Sequence, residues 1–293
     1  MRITYEVNEA LAAMPARAFL QKKAGISLNL WRKIKRSQSF LLNGQAVNPA
    51  QTIVQTGDII SYELREESSI LPVHMMLDIR YEDDWLLIVN KPADLLMHPT
   101  TQERSHTLAN AILSYYKETN QTLSFHPVHR LDRQTSGLVL IAKLPQIQHL
   151  LSTAAGKLFQ RSYLALIPGQ LTPPNGMIDL PIARRPGSII ERMVSPGGRT
   201  AITHYRTLQQ CRNCSLLELR LETGRTHQIR VHLAHLGHPL LGDDLYGGNH
   251  DILPRQALHA CRMTFTHPVS KKELCVEAEL PADMARIVSS FFK

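Results

Sequence analysis

The sequence predicts an α+β protein: a mixed, mostly antiparallel β-sheet flanked by helices, preceded by a small α/β module. Three observations carry that expectation. Strand-like runs outnumber helical ones over the last two-thirds of the chain and seldom alternate with them, which argues against a regular strand–helix–strand fold. The first part shows helix-spaced apolar residues and then an Asn-Gly turn between short apolar runs. A polar stretch, Arg65-Glu66-Glu67-Ser68-Ser69, then breaks the pattern shortly before Pro72. The 293 residues suffice for one large core and an appendage. We therefore expect a module over residues 1–66, a linker at about 67–76 and a second domain over 77–293.

In the first part, Phe19-Leu20, Ile26, Leu30 and Ile34 recur at helical spacing, and Trp31-Arg32-Lys33-Ile34-Lys35-Arg36 reads as a helix with its cations outward. Leu41-Leu42-Asn43-Gly44-Gln45-Ala46-Val47 reads as a hairpin, and residues 58–64 as a further strand after a turn at Gly57. Charge singles out the same segment. The chain carries a net +8, yet Ala10 to Gly57 contains no Asp or Glu, and its seven cations, Arg17, Lys22, Lys23, Arg32, Lys33, Lys35 and Arg36, nearly account for the excess. Such concentration suits a phosphate backbone, because each neutralised phosphate releases condensed counterions. Lys22, Lys23, Arg32, Lys33, Lys35 and Arg36 are thus candidate nucleic-acid contacts. The two helices, the Asn-Gly hairpin and the Gly57-Asp58-Ile59-Ile60 strand resemble the small RNA-binding module shared by a ribosomal small-subunit protein and tyrosyl-tRNA synthetases.

Further along, apolar runs predict strands over 85–89, 138–142, 163–167, 202–208, 216–221, 263–266 and 274–280. Helices are expected over 107–117, 145–158, 227–236 and 282–292. No run approaches the length of a membrane span and the start lacks a signal-like pattern, so a cytoplasmic protein without membrane contact is expected; a monomer is the expected state. Cys211 and Cys214 flank Arg212-Asn213 between two strand-like runs, which reads as a hairpin turn carrying reduced thiols. His227, His232, His235 and His238 lack the His-Glu-x-x-His spacing of a hydrolase, and one Cys pair cannot close a zinc site, so no metal is expected.

The densest chemistry lies in His129-Arg130-Leu131-Asp132-Arg133-Gln134-Thr135-Ser136-Gly137, four ionisable residues and Thr-Ser-Gly feeding the apolar run Leu138-Val139-Leu140-Ile141. A polar loop entering a buried strand holds its side chains at the strand end, where one carboxylate can sit between cations with little water. Asp132 is that carboxylate; the plainer reading is a turn cap paired with Arg130. Three other segments accompany it: Asn90-Lys91-Pro92-Ala93 with His98-Pro99, Arg161-Ser162-Tyr163-Leu164-Ala165-Leu166-Ile167, and Gly224-Arg225-Thr226-His227-Gln228-Ile229-Arg230 running on to Gly242-Asp243 and Tyr246-Gly247. Strand alternation puts Tyr163 on one face with Ala165 and Ile167. Taken singly, Tyr163 reads as core, Arg230 as a stem covering core, and Lys91 as either structural or a phosphate contact. Arg184, Arg185, Arg192 and Arg199 sit in a Pro- and Gly-containing stretch that reads as a loop, either gripping RNA or simply solvated.

Together these segments resemble the RluA-type pseudouridine synthases, which modify uridines in ribosomal and transfer RNA. The resemblance spans roughly residues 78–280, including Leu258-His259-Ala260 and Phe265-x-His267-Pro268. Departures are small: Gln134 stands where an acidic residue is common, Arg161 where Lys is usual, Ile167 where Val is frequent. The position matching the family's invariant aspartate is Asp132.

The resemblance implies an isomerisation without metal or organic cofactor. The glycosidic bond breaks, the uracil turns while bound, and carbon 5 joins the ribose. Asp132 would act as nucleophile at the anomeric carbon or as base at the 2′ carbon, and the resemblance makes Arg230 the guanidinium that keeps it charged. Arg130 would fill the gap left by the extruded nucleotide, Tyr163 would lie against the uracil, and Ile229 would wall the pocket. Large-subunit ribosomal RNA is the first expected substrate and transfer RNA the second. The competing reading is a noncatalytic RNA-binding or ribosome-assembly factor on the same fold, which the joint presence of Asp132, Tyr163 and Arg230 disfavours. A kinase reading of His-Arg-Leu-Asp fails for want of a Gly-rich loop and Asp-Phe-Gly.

Overall fold

A computed structural model describes residues 2–64, 68–153 and 159–292. The first part contains β1 (Arg2–Glu6), β2 (Met14–Pro15), α1 (Ala16–Ala24), α2 (Leu28–Arg36), β3 (Leu41–Leu42), β4 (Gln45–Ala46), β5 (Ile53–Val54) and β6 (Ile59–Glu63). Then come β7 (Ile79–Glu82), β8 (Leu86–Lys91), α3 (Leu108–Glu118), β9 (His126–Pro127), β10 (Ser136–Ala142), α4 (Pro145–Thr153), β11 (Phe159–Pro168) and β12 (Asn175–Asp179). The chain ends with β13 (Ile182–Arg184), β14 (Arg192–Val194), β15 (Ile202–Gln210), β16 (Cys214–Leu221), α5 (Gln228–His235), β17 (Leu258–Thr266), β18 (Glu273–Glu277) and α6 (Ala282–Phe291). The α+β expectation holds. The expected end of the fourth helix, 154–158, and the Arg65-Glu66-Glu67 stretch lie outside the described residues.

Composition explains the first elements. Ser27 caps α2 by accepting from the Leu30 backbone, and Leu30, Trp31 and Ile34 are buried while Arg32, Lys33, Lys35 and Arg36 face solvent. Lys22 and Lys23 are also exposed, in the last turn of α1. Asn43 and Gly44 turn the β3–β4 hairpin with positive φ, as an Asn-Gly pair does without strain. A strand over 2–6 was not anticipated from sequence; it is held by pairing with β6 along its full length.

A ten-stranded sheet dominates, ordered β12-β15-β16-β11-β17-β10-β8-β7, with β18 on β17 and β9 on β10. Its pairings are antiparallel except β10 with β17. Period-two alternation feeds two buried clusters. Leu86, Ile88, Leu138 and Leu140 join one that continues through Ile147 of α4 to Phe19, Trp31 and Ile60. Leu87, Val89, Val139 and Ile141 join another with Ile112 of α3, Tyr163 of β11 and Ile229 of α5. The parallel contact aligns Gly137 with Ala260; a Cβ at Gly137 would run into the Ala260 backbone, so the close approach needs glycine there.

The stretch read as a loop around Arg184 and Arg192 is instead the β13–β14 hairpin, with Arg184 paired to Arg192 and an Arg185–Glu191 ion pair of 2.6 Å at its turn. Each strand is only three residues long, with Arg184 and Arg192 among them and Ile182 and Val194 turned to a small buried cluster, too short a run to show the alternation that reveals other strands. Cys211 and Cys214 close the β15–β16 hairpin as free thiols.

His259, buried on β17, ties the start of β10 to the residues just beyond β18. Its Nδ1 lies 3.0 Å from Ser136 Oγ and its Nε2 3.3 Å from the Ala278 carbonyl oxygen. This pairing suits a neutral ring whose Nε2–H donates and whose Nδ1 accepts. Burial, only partly opposed by the Ala278 carbonyl, pushes its pKa down to about 4. As pH falls, the unfolded chain takes up a proton near 6.5 that the native ring refuses until about 4, so stability held above 6.5 is lost across that window. The loss is on the order of 3 kcal/mol. In denaturant titrations between neutral and acid pH, His259→Gln should show a shallower fall in stability than the unsubstituted chain; parallel pH profiles would contradict the assignment.

Candidate active site

Asp132 sits in the loop between β9 and β10, and the chain fixes that loop from three sides. The Thr135 N–H donates to the Asp132 carbonyl at 3.1 Å, closing a turn. Beneath it, Lys91 is buried and its Nζ donates to the carbonyls of Pro92 (2.8 Å), Leu95 (2.9 Å) and Arg133 (3.0 Å). Burial pushes this ammonium down to about 7, against the pull of Asp132, while three carbonyl acceptors match its three protons. Of the two readings of Lys91, the structure bears out the structural one. From the far side, Gln256 donates to Thr135 Oγ1 at 2.7 Å and Arg255 to the Gln134 carbonyl at 3.3 Å. Backbone polar groups that would otherwise be stranded under a loop are thereby paired.

Asp132 opens into a cavity of about 370 Å³, within the range of small-ligand pockets. The same cavity is lined by Arg130, Tyr163, Ile229 and Arg230, so the structure brings together every residue the sequence assigned to the site apart from the N-terminal cations. Arg130 is exposed at the cavity, whereas Ile229 and Tyr163 are buried walls. Tyr163 reaches it because β11 pairs with β16 on one side and β17 on the other, with an irregularity between Ser162 and Tyr163. Burial above all, reinforced by Asp132 and countered by Arg161, raises the Tyr163 phenol above its ordinary pKa, so the hydroxyl keeps its proton near neutrality.

Arg230 projects from α5 with its side chain 7% exposed. Its Nη1 lies 3.4 Å from Asp132 Oδ2, the contact expected from sequence. Its tighter partner is Asp243, whose fully buried carboxylate takes Nε at 2.8 Å and Nη2 at 2.7 Å. Although burial opposes the charge, the Asp243 hydrogen bonds hold the Arg230 pKa above its usual value. Tyr246 covers the guanidinium, 4.9 Å from ring centroid to cation. Asp243 anchors the guanidinium; Asp132 meets only its free edge.

Three residues of this assembly had no role in the sequence reading: Asp243, Tyr246 and His227. All stand in the segment around Arg230, but their pairing is tertiary. The sequence offers His227 only as a metal ligand, a role its spacing does not support. Among the described residues no group of three or more His, Cys, Asp or Glu is arranged to hold a metal. His232 is a satisfied core histidine, with Nδ1 2.9 Å from Thr203 Oγ1 and Nε2 2.9 Å from the Leu180 carbonyl. No helix among the described residues is long and apolar enough to cross a membrane.

Arg161 and Arg225 also line the cavity, and Arg161 stacks on Phe159 at 5.2 Å. A concave site with one carboxylate, a buried phenol, an apolar wall and a cationic edge can take a planar polar ring attached to an anionic backbone.

Comparison with known proteins agrees with this chemistry. The family described as RNA pseudouridylate synthase matches residues 85–235, a span containing Asp132, Tyr163 and Arg230. An uncharacterized RNA pseudouridine synthase, YhcT of Bacillus subtilis, is 43% identical over 82% of this chain and 81% of its own. Ribosomal large subunit pseudouridine synthase D of Escherichia coli is 38% identical over 86% of this chain and 82% of its own. The solved structure of human RNA pseudouridylate synthase domain containing 4 shares the fold, with a TM-score of 0.60 at 22% identity over 73% of this chain and 92% of that one. With more than half of the sequence matched by the family and relatives aligned over most of their length, the chain belongs to the RNA pseudouridylate synthase family.

Proposed function

We propose that this RNA pseudouridine synthase acts on uridines of large-subunit ribosomal RNA, with Asp132 as its catalytic carboxylate. The observation that carries this reading is a single carboxylate, Asp132, 3.4 Å from Arg230 in a cavity shared with Tyr163 and Ile229. A uridine turned out of its stack enters that cavity while the Arg130 side chain occupies the gap left in the RNA. Asp132 then attacks the anomeric carbon or removes a proton from the 2′ carbon. In either route the negative charge of the carboxylate is consumed at the sugar, and Arg230, 3.4 Å from Oδ2, holds the carboxylate in place beforehand. The detached uracil turns between Tyr163 and Ile229, and its carbon 5 joins the ribose as the bond to Asp132 breaks or the 2′ proton is handed back, which frees the carboxylate; the proton on carbon 5 is then lost to solvent while nitrogen 1 takes one up. Residues 1–66 form an RNA-binding module and 77–293 the catalytic domain in this reading. The exposed Lys22, Lys23, Arg32, Lys33, Lys35 and Arg36 supply phosphate contacts that do not depend on base sequence.

The ribosomal substrate rests on the Escherichia coli relative, whose name states that it acts on the large ribosomal subunit. Ribosomal RNA labelled with tritium at carbon 5 of uridine and free of modification is the direct test. The protein should release tritium from the large-subunit transcript and leave transfer RNA intact, with binding that weakens steeply as salt rises. Release from transfer RNA alone would reassign the substrate. Binding of both RNAs without release would favour a noncatalytic RNA-binding or assembly factor.

A further inference from the structure

His227 begins α5 in a conformation that side chains rarely adopt, with φ 59° and ψ 20°. Left-handed backbone at a residue other than Gly, Asn or Asp costs on the order of 1 kcal/mol, and such strain persists where the surroundings over-determine it. Here the surroundings are a hydrogen-bonded chain. The Arg192 backbone N–H donates to Tyr246 Oη at 2.9 Å, and Tyr246 Oη lies 2.8 Å from His227 Nδ1. Since the phenol oxygen already accepts from Arg192, its own proton is directed to Nδ1, which leaves the imidazole proton on Nε2. That nitrogen faces Asp132 Oδ2 at 3.8 Å, in a side chain only 10% exposed. Arg230 Nη1 approaches the same oxygen at 3.4 Å, and among the described residues no hydrogen bond reaches Oδ1.

We infer that His227 is a positioning residue for Asp132: its Nε2–H secures Oδ2 beside Arg230 and leaves Oδ1 as the oxygen that meets the sugar. The inference rests on the assignment of Asp132 as catalytic carboxylate. A gap of 3.8 Å is longer than a hydrogen bond, and contacts of this kind close when substrate fills a site. Burial first, with Arg230 and Arg192 adding to it, lowers the His227 pKa in spite of Asp132 and Asp243. The ring therefore serves as a neutral donor at neutral pH. Because the chain of bonds starts on β14, the β13–β14 hairpin is tied to the orientation of the carboxylate through Tyr246. Phosphate contacts by the arginines of that hairpin would thus bear on the reacting oxygen as well as on affinity.

The informative variant is His227→Gly, because glycine is relaxed at this φ. A residue needed only for backbone shape would be replaced without loss, or with a gain in thermal stability. We expect instead an unchanged or higher melting temperature, an unchanged KM for large-subunit ribosomal RNA and a kcat for tritium release lowered about 10- to 100-fold. His227→Asn, which tolerates the same backbone and restores a short N–H donor, should recover part of that loss. Tyr246→Phe keeps the ring over Arg230 and removes only the hydroxyl, so kcat should fall roughly 2- to 10-fold. Combined with His227→Gly it should add nothing. A kcat for His227→Gly within about twofold of the unsubstituted enzyme, or losses that multiply in the double variant, would overturn the inference. The unsubstituted enzyme and Asp132→Asn in the same assay separate the role of His227 from that of Asp132. Activity in the first and none in the second, beside an active His227→Gly, removes only the role of His227; an inactive unsubstituted enzyme removes both.

Discussion

Replacing Asp132 by Asn is expected to lower single-turnover tritium release by about 10⁴-fold or more while leaving RNA affinity and folding nearly unchanged. The amide has the shape of the carboxylate but neither its nucleophilicity nor its basicity, so both routes at the sugar are blocked by one atom change. Binding should survive because it depends on cations elsewhere, at the cavity edge and on α1 and α2. Folding should survive because Arg230 keeps its bidentate partner Asp243 at 2.7 and 2.8 Å, whereas its contact with Asp132 is 3.4 Å and partly open to solvent. The stability change should stay under about 1 kcal/mol. Filter binding, thermal melting and quenched tritium release measure the three quantities independently. A variant that retains release within about tenfold of the unsubstituted enzyme would remove Asp132 from the chemistry.

Much of this site was legible because its parts have strong local signatures. β8 and β10 announce themselves by alternation whose two sets of side chains enter different buried clusters, and α5 by helical spacing. Asp132, Tyr163 and Arg230 were found through motif order, yet nothing in their spacing says that they meet. The meeting is made by β10, β17 and β11 lying side by side, a non-local arrangement that includes the parallel pair at Gly137 and Ala260. The β13–β14 hairpin leaves no such signature because each strand is three residues long and carries an arginine, too short for alternation to show. Asp243 escaped for a different reason. A carboxylate at the end of a Leu-Leu-Gly run looks like an exposed turn residue, and only the structure turns it inward against a guanidinium 13 positions earlier. The invisible part of the site is therefore the support under Arg230 and Asp132, held by contacts without period or motif.

That support gives the second large effect. Asp243→Asn breaks the buried ion pair of Arg230, and with Asp132 left as its partly open partner the loss should be about 3 kcal/mol. For a chain of this size the melting temperature should fall by about 10 °C. The functional loss should exceed what destabilisation explains. With Asp243 neutral, the carboxylate left within reach of Arg230 is Asp132, and the guanidinium can close the 3.4 Å gap and take that carboxylate in a bidentate pair. The group meant for the sugar would then be occupied by its own orienting cation. We expect single-turnover release at a temperature well below the melt to drop about 100-fold, with RNA affinity unchanged, since the cations facing RNA are untouched. Arg230→Lys should resemble it in rate but not in stability. A lysine has no fork to hold Asp243 and Asp132 at once, but a flexible ammonium can still neutralise the buried Asp243. If Asp243→Asn melted lower yet reacted at the normal rate while folded, the buried pair would be a feature of folding alone, and the orientation of Arg230 toward Asp132 would have to come from Tyr246, whose ring lies 4.9 Å from the guanidinium.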